Sequence, residues 1–324
     1  DVVPVPGMPA PRDPISQPVS MADVLYNVGV GDAGWLCGQV RFWRGLFNAT
    51  SPDVVVLDYS PTALLALQGT GVPVLQVGTG FASPPAVSPL PDLRAWQNHY
   101  PDRIRATENR VLSTLNAQLE RQQQPALHCV GELFGRVDAN VLATFPELDH
   151  YPEHPRGEYW GTWGDASGVE MDWPEGDSPR VFAYLKPYRG LHQLLDALAR
   201  RSLRCLVHVG GLNDGSRGGS IDARRWQATS VRVSAEPLDI ANLVKDCDLG
   251  IINAGHASTA TLLLAGVPLL QLPIQIEQYH NAEATQRLGA GLHVELGDLA
   301  GFCDALDELL GKQKYRGAAI NFAR

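Results

Sequence analysis

An apolar run, a short polar turn, a helical stretch and a second apolar run occur twice in this 324-residue chain. The first copy reads Asp53-Val54-Val55-Val56-Leu57-Asp58, then Tyr59-Ser60-Pro61, a helix through Leu67, and Gly71-Val72-Pro73-Val74-Leu75-Gln76-Val77. The second reads Asp248-Leu249-Gly250-Ile251-Ile252-Asn253, then Ala254-Gly255-His256, a helix through Leu264, and Gly266-Val267-Pro268-Leu269-Leu270-Gln271-Leu272. The copies align without a gap, since Asp53 and Asp248, like Gly71 and Gly266, stand 195 positions apart. Each is a strand, a crossover helix and a parallel strand, and such strands are apolar throughout when helices cover both sheet faces. Two ordinary βαβ units can match this well without common descent. Either origin makes both halves of the chain α/β.

With 44% hydrophobic residues and 19% charged ones, the chain can bury two cores of ordinary size. A net charge of −9 argues against nucleic acid as a partner, because phosphate backbones are bound chiefly by clustered Lys and Arg. A small anion held by local donors is compatible with it. Cys37, Cys129, Cys205, Cys247 and Cys303 are scattered with no CxxC pair, which predicts neither a disulfide framework nor a zinc site and fits a reducing, cytoplasmic setting. No apolar run is long enough to span a bilayer, although attachment to a membrane surface stays open. The chain begins without Met and is proline-rich from Pro4 to Pro18, so its start reads as the middle of something longer.

Further elements follow the same alternation. Tyr100 to Gln124 carries Ile104, Val111, Leu112, Leu115 and Leu119 at helical spacing, and Ala139 to Phe145 reads as a strand. The stretch from 162 to 179, rich in Gly, Asp and Pro, is the expected linker between an amino-terminal domain at 1–161 and a carboxy-terminal domain at 180–324. The second domain is expected to start with the strand Arg180 to Leu185 and the helix Leu191 to Arg201, followed by strands at 205–209 and 231–233. Asn213 to Asp222 is expected to be a mobile loop. The aromatic residues Trp35, Phe42, Trp43 and Phe47, with Phe81 and Trp96, either pack in the core or line an apolar pocket.

In open α/β sheets ligands bind beyond the carboxyl ends of the strands, where helix amino termini direct free N–H groups outward. Asn253 to Ser258 holds that position in the second repeat. Ala254, Gly255 and Ala257 are small enough to let a phosphate approach the backbone, and Ser258 and Thr259 offer hydroxyls in the first helical turn. A plain helix cap would use the same residues.

The longer stretch Ala235 to Ala282 resembles the donor-site signature of the UDP-sugar glycosyltransferases, a family of two-Rossmann (GT-B) enzymes. The resemblance rests on Ala235-Glu236-Pro237-Leu238, Asn253-Ala254-Gly255-His256-Ala257-Ser258-Thr259, Gly266-Val267-Pro268, Pro273-Ile274-Gln275-Ile276-Glu277-Gln278 and Asn281, with spacing kept throughout. It implies two Rossmann-like doubly wound parallel-sheet domains facing a cleft. It also implies an inverting, metal-independent transfer of a sugar, a hexose in type, from a UDP or dTDP donor to an acceptor hydroxyl on a small or lipid-like molecule, with no further cofactor. On this resemblance the backbone near Pro237 and Leu238 would hold the base. Asn253 and the turn Gly255, His256, Ala257, Ser258 and Thr259 would hold the diphosphate, and Glu277 and Gln278 the sugar hydroxyls. Asp58 would match the family's Asp that orients an acceptor-activating His.

The departures from the pattern are specific. Ala235 has no ring where the family stacks one on the base, Thr261 replaces a ribose-binding Glu, and Asn253 replaces a His. Lys186-Pro187 stands for a Gly-Ser pair, and Lys186 is expected to supply the cation lost at Asn253. Nothing before Asp53 matches the strand and Gly-rich loop that carry the family's His, so the leading βα units of the amino-terminal domain are expected to be missing. Two other readings of the same fold are a nucleotide-sugar epimerase and a non-catalytic partner subunit.

Overall fold

The computed structural model describes residues 2–7, 13–97, 101–151, 157–163, 168–201, 203–210, 223–226 and 229–324. They form two compact units, Asp1–Gly161 and Thr162–Arg324. Among the described residues no helix is long and apolar enough to cross a membrane.

In the first unit, α1 (Met21–Asn27) and α2 (Ala33–Thr50) precede β1 (Val55–Asp58), α3 (Pro61–Leu67) and β2 (Val74–Gly78). There follow α4 (Pro101–Arg121), α5 (Glu132–Gly135), β3 (Ala139–Leu142) and β4 (Gly157–Tyr159). The strands make one parallel sheet in the order β1-β2-β3-β4, with Asp58 opposite Val77. Helix α2 starts where the Asp32 carboxylate accepts the Trp35 N–H at 2.8 Å, one of the donors a helix start leaves without an internal partner. Trp43 on α2 donates to Thr62 Oγ1 at 3.0 Å and stacks on Phe47, and both rings pack against the core, as does Trp35. Ile104, Val111, Leu115 and Leu119 form the buried stripe of α4. The apolar run of β1 is not covered on both faces: Val54 and Val56 are 53% and 59% exposed, while Leu57 is buried. The strand lies at the sheet edge, and Leu57 joins the buried cluster that holds Ala63 to Leu67 of α3.

The second unit holds β5 (Arg180–Leu185), α6 (Leu191–Arg200), β6 (Arg204–Val209), β7 (Val231–Ser234), α7 (Ile240–Leu243), β8 (Leu249–Ile252) and α8 (His256–Leu264). Then come β9 (Leu269–Gln271), α9 (Ile276–Arg287), β10 (Gly291–His293), α10 (Leu299–Gly311) and α11 (Gln313–Phe322). Six parallel strands run in the order β10-β9-β8-β5-β6-β7. The chain therefore moves outward from β5 through β6 to β7, then returns to β8 and moves outward the other way. This doubly wound order has its switch point between β5 and β8, where such sheets open a crevice at the strand ends. One face carries Val181, Ala183, Leu185, Cys205, Val207, Ile251 and Leu270 against α6 and α10. Every residue of β8 and β9 is buried.

The stretch at 168–172 pairs with this unit. Val169 forms a parallel bridge with Leu238, donating to the Pro237 C=O at 2.8 Å and accepting the Asp239 N–H at 3.1 Å. Gly168 permits the approach, since a Cβ there would come within 2.4 Å of the Leu238 carbonyl carbon. Residues 213–222, expected as a mobile loop, lie outside the described residues, as do 164–167 of the expected linker.

Candidate functional site

The switch point is built around Asn253, which follows β8 directly. Its side-chain oxygen accepts the Lys186 N–H at 2.7 Å and its amide nitrogen donates to the Leu272 C=O at 2.7 Å. One buried amide thus ties the carboxyl ends of β5, β8 and β9 together. Placing the donor and the acceptor on one planar group suits this bridging, because each neighbouring strand end offers one complementary backbone group.

After Asn253 the chain turns through Ala254, whose φ of 56° lies in the left-handed region that side chains seldom occupy. The conformation is held from outside. Asn281 on α9, almost fully buried, donates to the Ala254 C=O at 3.0 Å, while its own side-chain oxygen is buried without a partner. Gly255 then serves as N-cap of α8 and brings no side-chain cap hydrogen bond. Its φ of −62° needs no glycine, and a Cβ built on it would meet nothing within 4 Å. Neither backbone strain nor internal packing therefore accounts for this glycine. Its missing side chain leaves open space where the first N–H groups of α8 carry the positive end of the helix dipole.

The residues of the α8 turn divide by direction. Ala257 is exposed and Ser258 partly so, whereas His256 and Thr259 are buried. The Thr259 hydroxyl accepts from the Gln271 amide on β9 at 3.1 Å, so it faces the sheet. Thr261 donates back to the Ala257 C=O at 2.9 Å.

Helix α9 opens nearby with a capping box. The Gln278 side-chain oxygen accepts the N–H groups of Ile274 at 2.8 Å and Gln275 at 3.1 Å, so its NH₂ end takes no part in the cap. Glu277, in the same first turn, is partly exposed. Lys186, at the end of β5, is exposed, and its ammonium makes no ion pair among the described residues. Pro237 is exposed and Leu238 buried, with the flanking Pro237 C=O and Asp239 N–H taken up by Val169. In the other unit Asp58 is exposed at the end of β1, its carboxylate beside Gly78.

Several residues at these strand ends were not singled out from the sequence. Tyr184 on β5 and His208 on β6 are two of them, their ring centroids 4.9 Å apart. His208 is buried with Nδ1 3.3 Å from the Ser234 C=O, and burial lowers its pKa, so the ring is held neutral. A recess of about 330 Å³ opens on the α6 side, lined by Tyr188, Arg189, Gln193, Leu272, Asp298 and Phe302 among others. Burial raises the Tyr188 pKa to about 12, which keeps that phenol protonated. The apolar alternation of Arg180 to Leu185 hides Tyr184 among core positions, and only the strand register separates it from them.

No family model matches the chain. It is 25% identical to a PGL/p-HBAD biosynthesis glycosyltransferase of Mycobacterium tuberculosis, a match covering 98% of this chain and 77% of the relative. It is 26% identical to a PGL/p-HBAD biosynthesis rhamnosyltransferase of Mycobacterium bovis, covering 86% of this chain and 64% of the relative. Among solved structures, the glycosyltransferase of kitacinnamycin superposes with a TM-score of 0.67 at 16% identity, over 95% of this chain and 80% of that one. CalG4, the calicheamicin glycosyltransferase, gives 0.66 at 18% identity, over 88% and 72%. The spinosyn rhamnosyltransferase SpnG complexed with thymidine diphosphate gives 0.56 at 18% identity, over 94% and 80%. These structural likenesses are likenesses of fold: two parallel-sheet α/β domains of the GT-B type.

Proposed function

We propose that this chain, which is similar to mycobacterial glycosyltransferases and shares the two-Rossmann fold, moves a sugar from a UDP or dTDP donor to an acceptor hydroxyl, inverting the anomeric centre without a metal ion. The observation that carries this reading is the amino terminus of α8, whose N-cap Gly255 leaves open space beside it, set at the switch point of the sheet. A diphosphate resting there would meet several N–H donors at once, with Ser258 Oγ beside them and the Lys186 ammonium at the adjacent strand end. Glu277 and the donor end of Gln278, in the first turn of α9, would meet the hydroxyls of the transferred sugar.

In the reaction the acceptor oxygen forms a bond to the anomeric carbon from the face opposite the diphosphate. The bond from that carbon to the diphosphate oxygen breaks with its electron pair, and the acceptor proton passes to a base. One such displacement inverts the configuration. Negative charge grows on the leaving diphosphate, so donors already fixed at the end of α8 stabilise the transition state more than the bound donor. Asp58 is proposed to orient the base, as a carboxylate fixes the tautomer of a neighbouring imidazole. Small or lipid-like hydroxyl compounds are the proposed acceptors.

A thermal-shift panel of UDP, dTDP and GDP sugars tests the donor half, because a ligand that binds only the folded state raises the melting temperature. A rise with UDP or dTDP sugars supports the reading, and no response to any of the three sinks it. Proton NMR of a product's anomeric signal tests inversion, and retained activity after exhaustive chelation tests metal independence.

A further inference from the structure

We propose that Tyr184 is the surface on which the nucleobase of the donor stacks; this rests on the nucleotide-sugar reading above. The strand register places five residues in one row across the carboxyl ends of the sheet: Gln271 on β9, Ile252 on β8, Tyr184 on β5, His208 on β6 and Ser234 on β7. Residues in register across a parallel sheet point to the same face. The face is that of α8, since a Cβ on Gly250, two positions before Ile252, would meet Leu262 of that helix. Four members of the row are buried, at 0% for Gln271, 1% for Ile252, 4% for His208 and 7% for Ser234, while Tyr184 is 40% exposed. Its strand neighbours Phe182, Ala183 and Leu185 are buried too. A large aromatic residue standing open in the middle of an otherwise closed row on the central strand marks an opening above the sheet, next to the phosphate turn.

Position supports a base at this point. Neighbouring strands lie about 4.8 Å apart, so Tyr184 is one strand removed from the end of β8, where the diphosphate would rest. It is two strands from β7, which leads into Ala235 to Leu238. A nucleoside leaving α8 toward that segment must pass over β5 and β6. Ala235 is exposed and has no ring to offer. The ring of Tyr184 is also braced. His208 lies against it with an interplanar angle of 43°, and His208 is itself held within reach of the Ser234 C=O. On another side lies Gly210, where a Cβ would stand 3.5 Å from Tyr184 Cε2, in ordinary van der Waals contact with the ring. Stacking on a tyrosine face is tolerant of base identity, because every base presents a π-face.

Titration calorimetry with UDP, dTDP, inorganic pyrophosphate and 5,6-dihydrouridine diphosphate, whose base is not aromatic, tests the assignment on the whole chain. Tyr184→Ala should weaken UDP and dTDP by about tenfold or more, and Tyr184→Phe should stay within about twofold of the wild type. Pyrophosphate and the dihydro compound should bind the wild type and Tyr184→Ala alike, since neither has an aromatic base to lose. Undiminished UDP affinity in Tyr184→Ala, or an equal loss for UDP, the dihydro compound and pyrophosphate, overturns the assignment while leaving the donor site standing. A wild type that binds none of these nucleotides overturns the donor reading and the assignment with it.

Discussion

Gly255 and Gly250 lie five residues apart, and the structure requires opposite outcomes when each becomes alanine. At Gly255 the backbone angles suit any residue and the added methyl meets no protein atom within 4 Å. Alanine is a poorer N-cap than glycine, but it also restricts the unfolded chain by about 0.4–1 kcal/mol, and these effects oppose each other. The net change in stability should stay within about 0.5 kcal/mol. At Gly250 the methyl would come within 2.8 Å of Leu262 Cδ1 and 2.9 Å of Leu269 Cδ2, inside a packed helix–sheet interface. Overpacking of that kind costs about 1–3 kcal/mol, or a fall in Tm of about 3–10 °C in a domain of this size. Binding should order the variants the other way. A phosphate oxygen must approach the α8 N–H groups to about 2.9 Å, and a methyl in the open space beside them holds it off. Charge-assisted hydrogen bonds are worth about 1.5–3 kcal/mol each, so Gly255→Ala should bind UDP or dTDP about 10- to 100-fold more weakly. Circular dichroism melts without ligand, with calorimetric titration at fixed salt, give both numbers for both variants. If Gly255→Ala binds nucleotide as the wild type does, the diphosphate does not rest on α8. If it melts as low as Gly250→Ala, the space beside it is not open.

Asn253→Ala strands the Lys186 N–H and the Leu272 C=O, and with about 1–3 kcal/mol for each unsatisfied group it should lower stability by about 2–6 kcal/mol in urea unfolding; a wild-type midpoint would show that water replaces the amide freely. Lys186→Ala should weaken nucleoside diphosphate binding about three- to tenfold and flatten its dependence on salt, as loss of a partly screened charge does; unchanged affinity sinks the cationic role. Burial holds His208 below its ordinary pKa, so as pH falls the unfolded chain takes up this proton before the folded one does. The stability linked to it is full above the ordinary value of about 6.5 and declines below it; His208→Gln should show a shallower decline in the urea midpoint between about pH 7 and 5, and parallel profiles would refute the neutral buried ring. Asp58→Ala should lower kcat/KM by about 10²- to 10⁴-fold with donor affinity unmoved, and retained turnover would remove Asp58 from the mechanism.

The two βαβ units were legible because a strand buried on both faces must be apolar at every position, as β8 and β9 are. Strand β1 has a run just as apolar and yet exposes Val56, because edge position is a property of the sheet and not of the segment. Strand β4, with the residues Gly157, Glu158 and Tyr159, has no apolar run to announce it. At the site, the residue types and spacing around α8 could be read directly, but the allocation of their atoms could not. That the Asn253 amide is committed to two backbone groups, that the Gln278 oxygen caps α9 and that Thr259 faces the sheet are all consequences of tertiary contacts. Tyr184 and His208 were missed for a related reason, since they become neighbours only through the pairing of β5 with β6.

The strand order also bears on how such an enzyme can be altered by recombination. On the proposed function, residues 235–239 and 273–281 would meet opposite parts of an extended ligand, yet each is one uninterrupted piece of chain following its own strand, β7 or β9. Between them lie β8 and α8, the part that any nucleoside diphosphate would share. On that reading a crossover placed within β8 would exchange the segment proposed to meet the sugar while leaving the segment proposed to face the base with its parent. Because every residue of β8 is buried, the junction falls where sequence is constrained by packing volume rather than by ligand. Chimeras joined there should then take nucleotide preference from one parent and sugar preference from the other, which product analysis with mixed donors would check.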